Sequence, residues 1–299
     1  MDYWALGAVG LLGWTGLYLY RILVFKAFPA LVRSDFENRP VANGAGSLLW
    51  DVSFLFMFYL YLYRGLSLPL FLCGSASHFL FACLGWLDDA SELKPFTKLA
   101  SQATTGLICL VLYAFGAGLA ERPFLFFPLG LLFLVWLVNA VNFMDILDGL
   151  CGLVTLLLFA GFAVFFYLHH SSFFLYSLFW IVLLAAFLAR NLYRPSVFLG
   201  DSGAHLLGSA LFLCVLMTLE TVPEGDFSVY GFLGVLFAFL FFDFVYVCVK
   251  RFKKDQSLFL KSPDHLTFDL LMHTQSRYGT LLILAFFQGI STLLAIGII

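Results

Sequence analysis

The chain has 299 residues, 62% of them hydrophobic and 11% charged, with a formal net charge of −2 and a mean hydropathy of +0.98. A soluble domain carries roughly 25% charged residues, so water is excluded as the solvent of most of this surface and lipid takes its place. The small net charge points to no particular partner, and no nucleic-acid partner is expected.

At about 20 residues per helix, the apolar runs predict ten membrane spans: 3–24, 47–63, 68–87, 99–119, 124–141, 147–168, 172–190, 204–222, 228–249 and 279–299. The runs are continuous and do not alternate, so they predict an all-α bundle, not a barrel. The whole chain, 1–299, reads as a single polytopic domain. No cleavable signal peptide is expected, because Asp2 precedes the first run and Arg21 and Lys26 follow it. The six cysteines sit in or beside apolar runs without CxxC spacing, which suggests small core residues and no zinc site.

The connecting loops fall into two alternating sets. One set, 20–46, 88–98, 142–146, 190–203 and 250–278, holds fourteen of the sixteen Lys and Arg residues; the other holds only Arg64 and Arg122. The positive-inside rule places the first set in the cytoplasm and both termini outside. The expected location is the cytoplasmic (inner) membrane, multi-pass. The outer loops are too short to present a recognition surface, so chemistry is expected on the cytoplasmic face.

Asp88, Asp89, Asp145, Asp148 and Asp201 all lie at cytoplasmic ends of spans. Single carboxylates there could simply mark where helices leave the membrane. Adjacent carboxylates repel unless a cation or a base neutralises them. Asn139, Asn142, Asp145 and Asp148 also crowd into NAVNFMDILDG. Hard oxygen donors from three segments suit Mg²⁺ or Mn²⁺ with positions left for water and phosphate. The basic stretch KRFKKDQSLFLKSPDHLTFD supplies positive charge, and RPSVFLGDSG sets Gly200 and Gly203 around Asp201. A divalent cation beside a basic loop suits phosphoryl transfer.

In family order, NRPVANGAG, DDASELKPFTKLASQ, NAVNFMDILDG, FLGDSG, DFVYVCVKR and SLFLKSPDHLTF resemble the polyprenyl-phosphate N-acetylhexosamine-1-phosphate transferase superfamily of membrane enzymes (glycosyltransferase family 4). The resemblance implies Mg²⁺-dependent attack of a polyprenyl phosphate on the β-phosphate of a UDP-sugar. The products are a polyprenyl-diphospho-sugar and UMP, at the first membrane step of cell-surface glycan synthesis. It implies Asp201 as principal metal ligand with Asn142 beside it. Asp88 and Asp89 would stand near the lipid phosphate, one of them as base, with Lys98 holding phosphate. Asn139, Asp145 and Asp148 would line the nucleotide-sugar site, and His265 with Lys261 would face the pyrophosphate. Membrane lipid is a partner throughout, and a homodimer is left open.

The chain departs from that pattern at three places. Asp145 is followed by Ile146 in place of Gly, the last loop keeps only His265 of a His-x-His-His core, and Ala204-His205 follow FLGDSG. The shortened His motif argues against the pentapeptide-muramoyl branch. It also leaves room for a degenerate member acting as a binding scaffold. An aspartate-motif prenyltransferase would show two Asp-x-x-x-Asp motifs. An ion-coupled transporter would carry mid-bilayer charges and an internal repeat. His78 is expected to hydrogen-bond inside the bundle and His169-His170 to form a solvated turn. Asp51 and Asp243 read equally as structural ion-pair members or as parts of the site, and His205 as packing or as substrate contact.

Overall fold

The computed structural model describes residues 3–35, 38–116, 126–193, 195–223, 225–255 and 264–299. It is an all-α membrane bundle. The long helices are α1 (Tyr3–Ala27), α2 (Gly46–Tyr63), α3 (Leu68–Ser91), α4 (Pro95–Gly116), α5 (Phe126–Phe143), α6 (Leu150–Leu168), α7 (Phe174–Asn191) and α8 (Gly200–Thr221). They are followed by α9 (Ser228–Leu236), α10 (Ala238–Lys253), the short α11 (Leu266–Thr274) and α12 (Arg277–Ile296).

Among the described residues eight helices are long and apolar enough to cross a membrane, and there are nine if the bent pair α9–α10 counts as one span. The fourth expected span is α4, packed between α3 and α5. Its first half carries Thr97, Lys98, Ser101, Gln102, Thr104 and Thr105, which makes it less apolar than its neighbours. α8 is the hub, with 94% of its apolar window buried against 22% for α1. It packs on α2, α3, α5 and α6.

Two features set the carboxylate-bearing end of the bundle. A β-hairpin pairs β1 (Val32–Ser34) with β2 (Pro40–Ala42). Ala42 then bridges to Val197: its carbonyl accepts the Phe198 amide at 2.7 Å, and the Ala45 amide donates to the Phe198 carbonyl at 3.2 Å. The segment before α2 is thereby held against the segment before α8. Asn191, at the end of α7, accepts the Gly149 amide at 2.6 Å and donates to the Val197 carbonyl at 3.0 Å, which draws in the start of α6.

The second feature is close helix contact. A Cβ on Gly85 of α3 would lie 2.3 Å from the Asp201 carbonyl oxygen, so only glycine lets α3 touch the first turn of α8. The α9–α10 pair bends by 54°. Gln288 of α12 donates to the Leu236 carbonyl at this break, at 3.1 Å. A buried side chain thus satisfies backbone that the break would otherwise strand in an apolar setting.

The observed helices run further toward the carboxylate end than the apolar runs suggest. Asp88 and Asp89 lie in the last turn of α3, not in a loop. The 88–98 loop shrinks to residues 92–94. Ionised groups continue a helix past its apolar run when partners satisfy them, and here they do.

Candidate functional site

Asp89 is buried, and its carboxylate is turned to the start of α8. It accepts the backbone amides of Asp201 at 3.0 Å and Ser202 at 3.1 Å, and the Asn43 side-chain amide at 2.9 Å. The first amides of a helix have no intrahelical partner, and here a carboxylate from another helix takes two of them. Gly200 sits at φ +71°, and a Cβ there would lie 2.6 Å from Asp89 Oδ2. The cap therefore needs glycine at this position. Arg33 Nη2 also donates to the Asp89 carbonyl at 2.6 Å.

Asp88 points the other way. Its Oδ1 accepts the Leu93 amide at 2.6 Å and its Oδ2 accepts Lys98 Nζ at 2.7 Å. The same ammonium donates to Asp201 Oδ2 at 2.9 Å, and Asn142 Nδ2 donates to Asp201 Oδ1 at 2.7 Å. Lys98 thus stands between two carboxylates of α3 and α8 and neutralises their repulsion. One helical turn deeper, Asn139 donates to Gln102 Oε1 at 2.7 Å, and Gln102 Nε2 lies 3.2 Å from His205 Nε2. Gln102, Asn139 and His205 follow or precede Lys98, Asn142 and Asp201 by three or four residues, so this layer, with Gln102 and His205 buried and Asn139 half-buried, props the one above it.

Asp88, Lys98, Asn139, Asn142, Asp145, Asp201, Arg251 and His265 line one end of a cavity of about 2390 Å³. Its remainder is apolar and runs between α4, α5, α8 and α9–α10, past Phe133, Trp136, Val215, Leu216, Phe237 and Phe241. The cavity therefore joins a charged mouth to an apolar groove along the bundle.

Asp145 lies in the turn between α5 and α6. Desolvation raises its carboxyl well above the usual aspartate range, and the charges of Asp201, Asp89 and Asp148 push it the same way; the Gly200 backbone amide opposes them. Asp148 is raised by desolvation too, against the pull of Arg277.

The structure thus brings together Asp88, Lys98, Asn139, Asn142, Asp145, Asp201 and His265. Two expected site residues stand outside the cavity wall. Asp89 is used up as the cap of α8, and Asp148 turns to Arg277 Nη1 at 3.2 Å. Lys261 and the Ser257–Phe259 motif lie outside the described residues. Asp51 is exposed on α2, whereas Asp243 of α10 is 1% exposed. His78 is buried between Ser53 and Tyr176, 3.0 Å from the Tyr176 hydroxyl, as the bundle-facing reading expects. Asn43, Gln102, Arg251 and Arg277 were given no site role from sequence. The small-residue run NGAG and the glutamine four residues after Lys98 were the signals for the first two.

Among the described residues no three His, Cys, Asp or Glu side chains converge as a closed metal cage. Mg²⁺ does not need one, since it binds through one or two carboxylates and keeps water and substrate phosphates. The Asp201 side chain is 23% exposed at the cavity mouth and touches Asn142. Asp201 and Asp88, on either side of Lys98, carry carboxylate oxygens and Asn142 an amide oxygen, the donor type that magnesium takes. Here the Asp201 oxygens accept Lys98 Nζ and Asn142 Nδ2, which a bound cation would displace.

A family model described as glycosyl transferase family 4 matches residues 71–220, half of the chain. The matched segment contains Asp88, Asp89, Lys98, Asn139, Asn142, Asp145, Asp148 and Asp201, and His265 lies beyond it. No curated protein matches the chain. The cavity with its charged mouth, carried on a bundle of apolar helices, agrees with that match: the chain belongs to glycosyl transferase family 4, the membrane enzymes that transfer a sugar phosphate to a polyprenyl phosphate.

Proposed function

We propose that the chain transfers an N-acetylhexosamine-1-phosphate from a UDP-sugar to a polyprenyl phosphate such as undecaprenyl phosphate. An oxygen of the lipid phosphate attacks the β-phosphorus of the UDP-sugar. The bond from that phosphorus to the oxygen bridging to the α-phosphate breaks. Polyprenyl-diphospho-sugar forms and UMP leaves. The observation that carries this reading is the direct junction of the Asp88–Lys98–Asp201 network with a long apolar groove. A soluble anion and a lipid tail can occupy the two parts at once.

In this reading the groove holds the prenyl chain beside Trp136, Leu216 and Phe241. Lys98 and Asp88 flank the lipid phosphate. Asp201 and Asn142 hold Mg²⁺, which when bound supplies positive charge to the diphosphate. Asp145 and Asn139 face the nucleotide-sugar side, and Asp148 acts there through Arg277. Asp89 acts as a positioning residue, because its oxygens are committed to α8. His265 faces the diphosphate from α11, with Lys261 assigned to the same role by the family pattern.

The carboxylate end is taken as the cytoplasmic face of the inner membrane, since fourteen of the sixteen basic residues belong to that set of loops. Both termini then lie outside, and the product feeds cell-wall or surface polysaccharide synthesis.

The test is direct. Purified chain is incubated with undecaprenyl phosphate, Mg²⁺ and a panel of UDP-sugars, and UMP release is measured. At least one UDP-N-acetylhexosamine is expected to release UMP. No release with any sugar, while a positive-control enzyme of the family works beside it, would sink the reading. Asp201→Asn is expected to raise the Mg²⁺ concentration needed for half-maximal rate; full activity at limiting Mg²⁺ would remove Asp201 from the metal site.

A further inference from the structure

α10 carries Asp243 on its inward face. Its side chain is 1% exposed, and neither carboxylate oxygen has a hydrogen-bond partner among the described residues. A carboxylate so placed carries a desolvation cost unless something pairs with it. The group facing it is His265, whose Nδ1 stands 3.8 Å from Asp243 Oδ2 and is likewise buried without a hydrogen-bond partner among the described residues.

The backbone explains how His265 comes to this place. It is the residue before the first turn of α11, with φ −73° and ψ 149°. Its side chain makes no hydrogen bond to that helix, although this position commonly caps one. The ring is instead turned inward, edge-on to Phe143 with centroids 5.1 Å apart. It also lines the charged mouth of the cavity, whereas Asp243 does not. The order from the cavity inward is therefore imidazole, then carboxylate. α11 is held on α10 by Lys250, which donates to Asp269 at 2.7 and 2.9 Å, and by the Tyr246 hydroxyl on the same carboxylate. The two partners thus sit on elements already joined.

We propose that Asp243 is the positioning residue for His265. It takes the Nδ1–H, fixes the ring's tautomer and direction, and leaves Nε2 as the nitrogen presented to the substrate. Which ring nitrogen carries the proton is set by the hydrogen bond the other one makes, and a buried carboxylate is a strong acceptor for it. A shift of about 1 Å of the ring or of α11 converts the 3.8 Å approach into a hydrogen bond of ordinary length. The inference rests on the proposed function for what Nε2 does, but not for the pairing itself.

The experiment has two arms on the full-length chain in detergent or nanodiscs. Nitrogen NMR of histidine-labelled protein reads the His265 tautomer, its signals identified by their loss in His265→Gln. The expected result is an Nδ1-protonated ring in the unaltered chain, lost in Asp243→Asn and kept in Asp243→Glu. In the activity arm, Asp243→Asn lowers kcat by about 10- to 100-fold, the scale found for carboxylates that orient metal-bound histidines, with a smaller change in the KM for the UDP-sugar. The double variant Asp243→Asn/His265→Gln is no slower than His265→Gln alone.

A merely structural Asp243 would instead give additive losses in the double variant. An unchanged His265 tautomer in Asp243→Asn, or additive losses, overturns the proposal. If the unaltered chain releases no UMP from any sugar, the proposed function falls, and the NMR arm still decides the pairing.

Discussion

The Asp89 carboxylate accepts the backbone amide of Asp201 at 3.0 Å across 112 residues of chain. Neighbouring aspartates of one helix therefore do different work. Asp89 holds the start of α8 in place, and Asp88, turned outward, shares Lys98 with the side chain that Asp89 has positioned. The repulsion expected of an Asp-Asp pair is relieved by separating their partners: backbone amides for one, an ammonium for the other.

Asp89→Ala strands the amides of Asp201 and Ser202 in a buried place. The loss expected is about 1–3 kcal/mol for each donor left unmade, together with a fall in activity as Asp201 loses its fixed place. Asp89→Asn keeps an acceptor oxygen and should fall between. Thermal melting beside UMP release measures both, and an Asp89→Ala protein that melts with the unaltered chain would refute the cap.

Removing the ammonium of Lys98 leaves Asp88 and Asp201 facing each other without a counter-charge. Lys98→Met is expected to lower kcat by about 10²–10³, the range found when one preorganised charge-stabilising donor is deleted. Lys98→Arg should not restore it, because a planar fork does not replace a point charge between two carboxylates. Recovery of full turnover by arginine would show that any cation suffices there.

The groove allows a test that separates the two substrates. Gly234 lines it on α9, and a Cβ there would meet no atom within 4 Å. Gly234→Phe should therefore fold and fill part of the groove. The KM for the polyprenyl phosphate is expected to rise, with the KM for the UDP-sugar unchanged. Equal rises in both would place the lipid elsewhere.

Hydropathy alone placed the long helices to within a few residues, because a bilayer demands continuous apolar runs, but it read the short α11 as part of the loop 250–278. It was less informative where polar side chains satisfy one another inside the bundle. Asp88 and Asp89 were expected at a loop because no sequence pattern shows that Asn43 and the amides of α8 lie beside them. Gln102 and His205 pair across 103 residues, a distance at which chain order carries no contact information. The bend between α9 and α10 has no proline to announce it; it is stabilised by Gln288, 52 residues beyond Leu236. The oxygen donors themselves were legible, since ionisable groups at membrane helix ends are rare enough to be noticed. The groove was not, because lipid-facing and groove-facing Phe and Leu read alike.

Asp145 gives the last prediction, made without added divalent cation. Desolvation and three neighbouring carboxylates hold its acid form to higher pH than in the unfolded chain. A folded-state pKa above the unfolded one means that the fold binds the proton more tightly. Its contribution to stability is then fully present below the unfolded value, about 3.9, and is lost as pH rises through the raised folded value. Asp145→Asn has no proton to lose, and its carbonyl oxygen can still accept the Gly200 amide. The variant should therefore melt above the unaltered chain at neutral and alkaline pH, with the gap narrowing as pH falls through the acid range. Melting curves in chelator across that range measure it. A gap that widens toward low pH would have the opposite sign and would mean that the Asp145 carboxylate is held ionised by its surroundings.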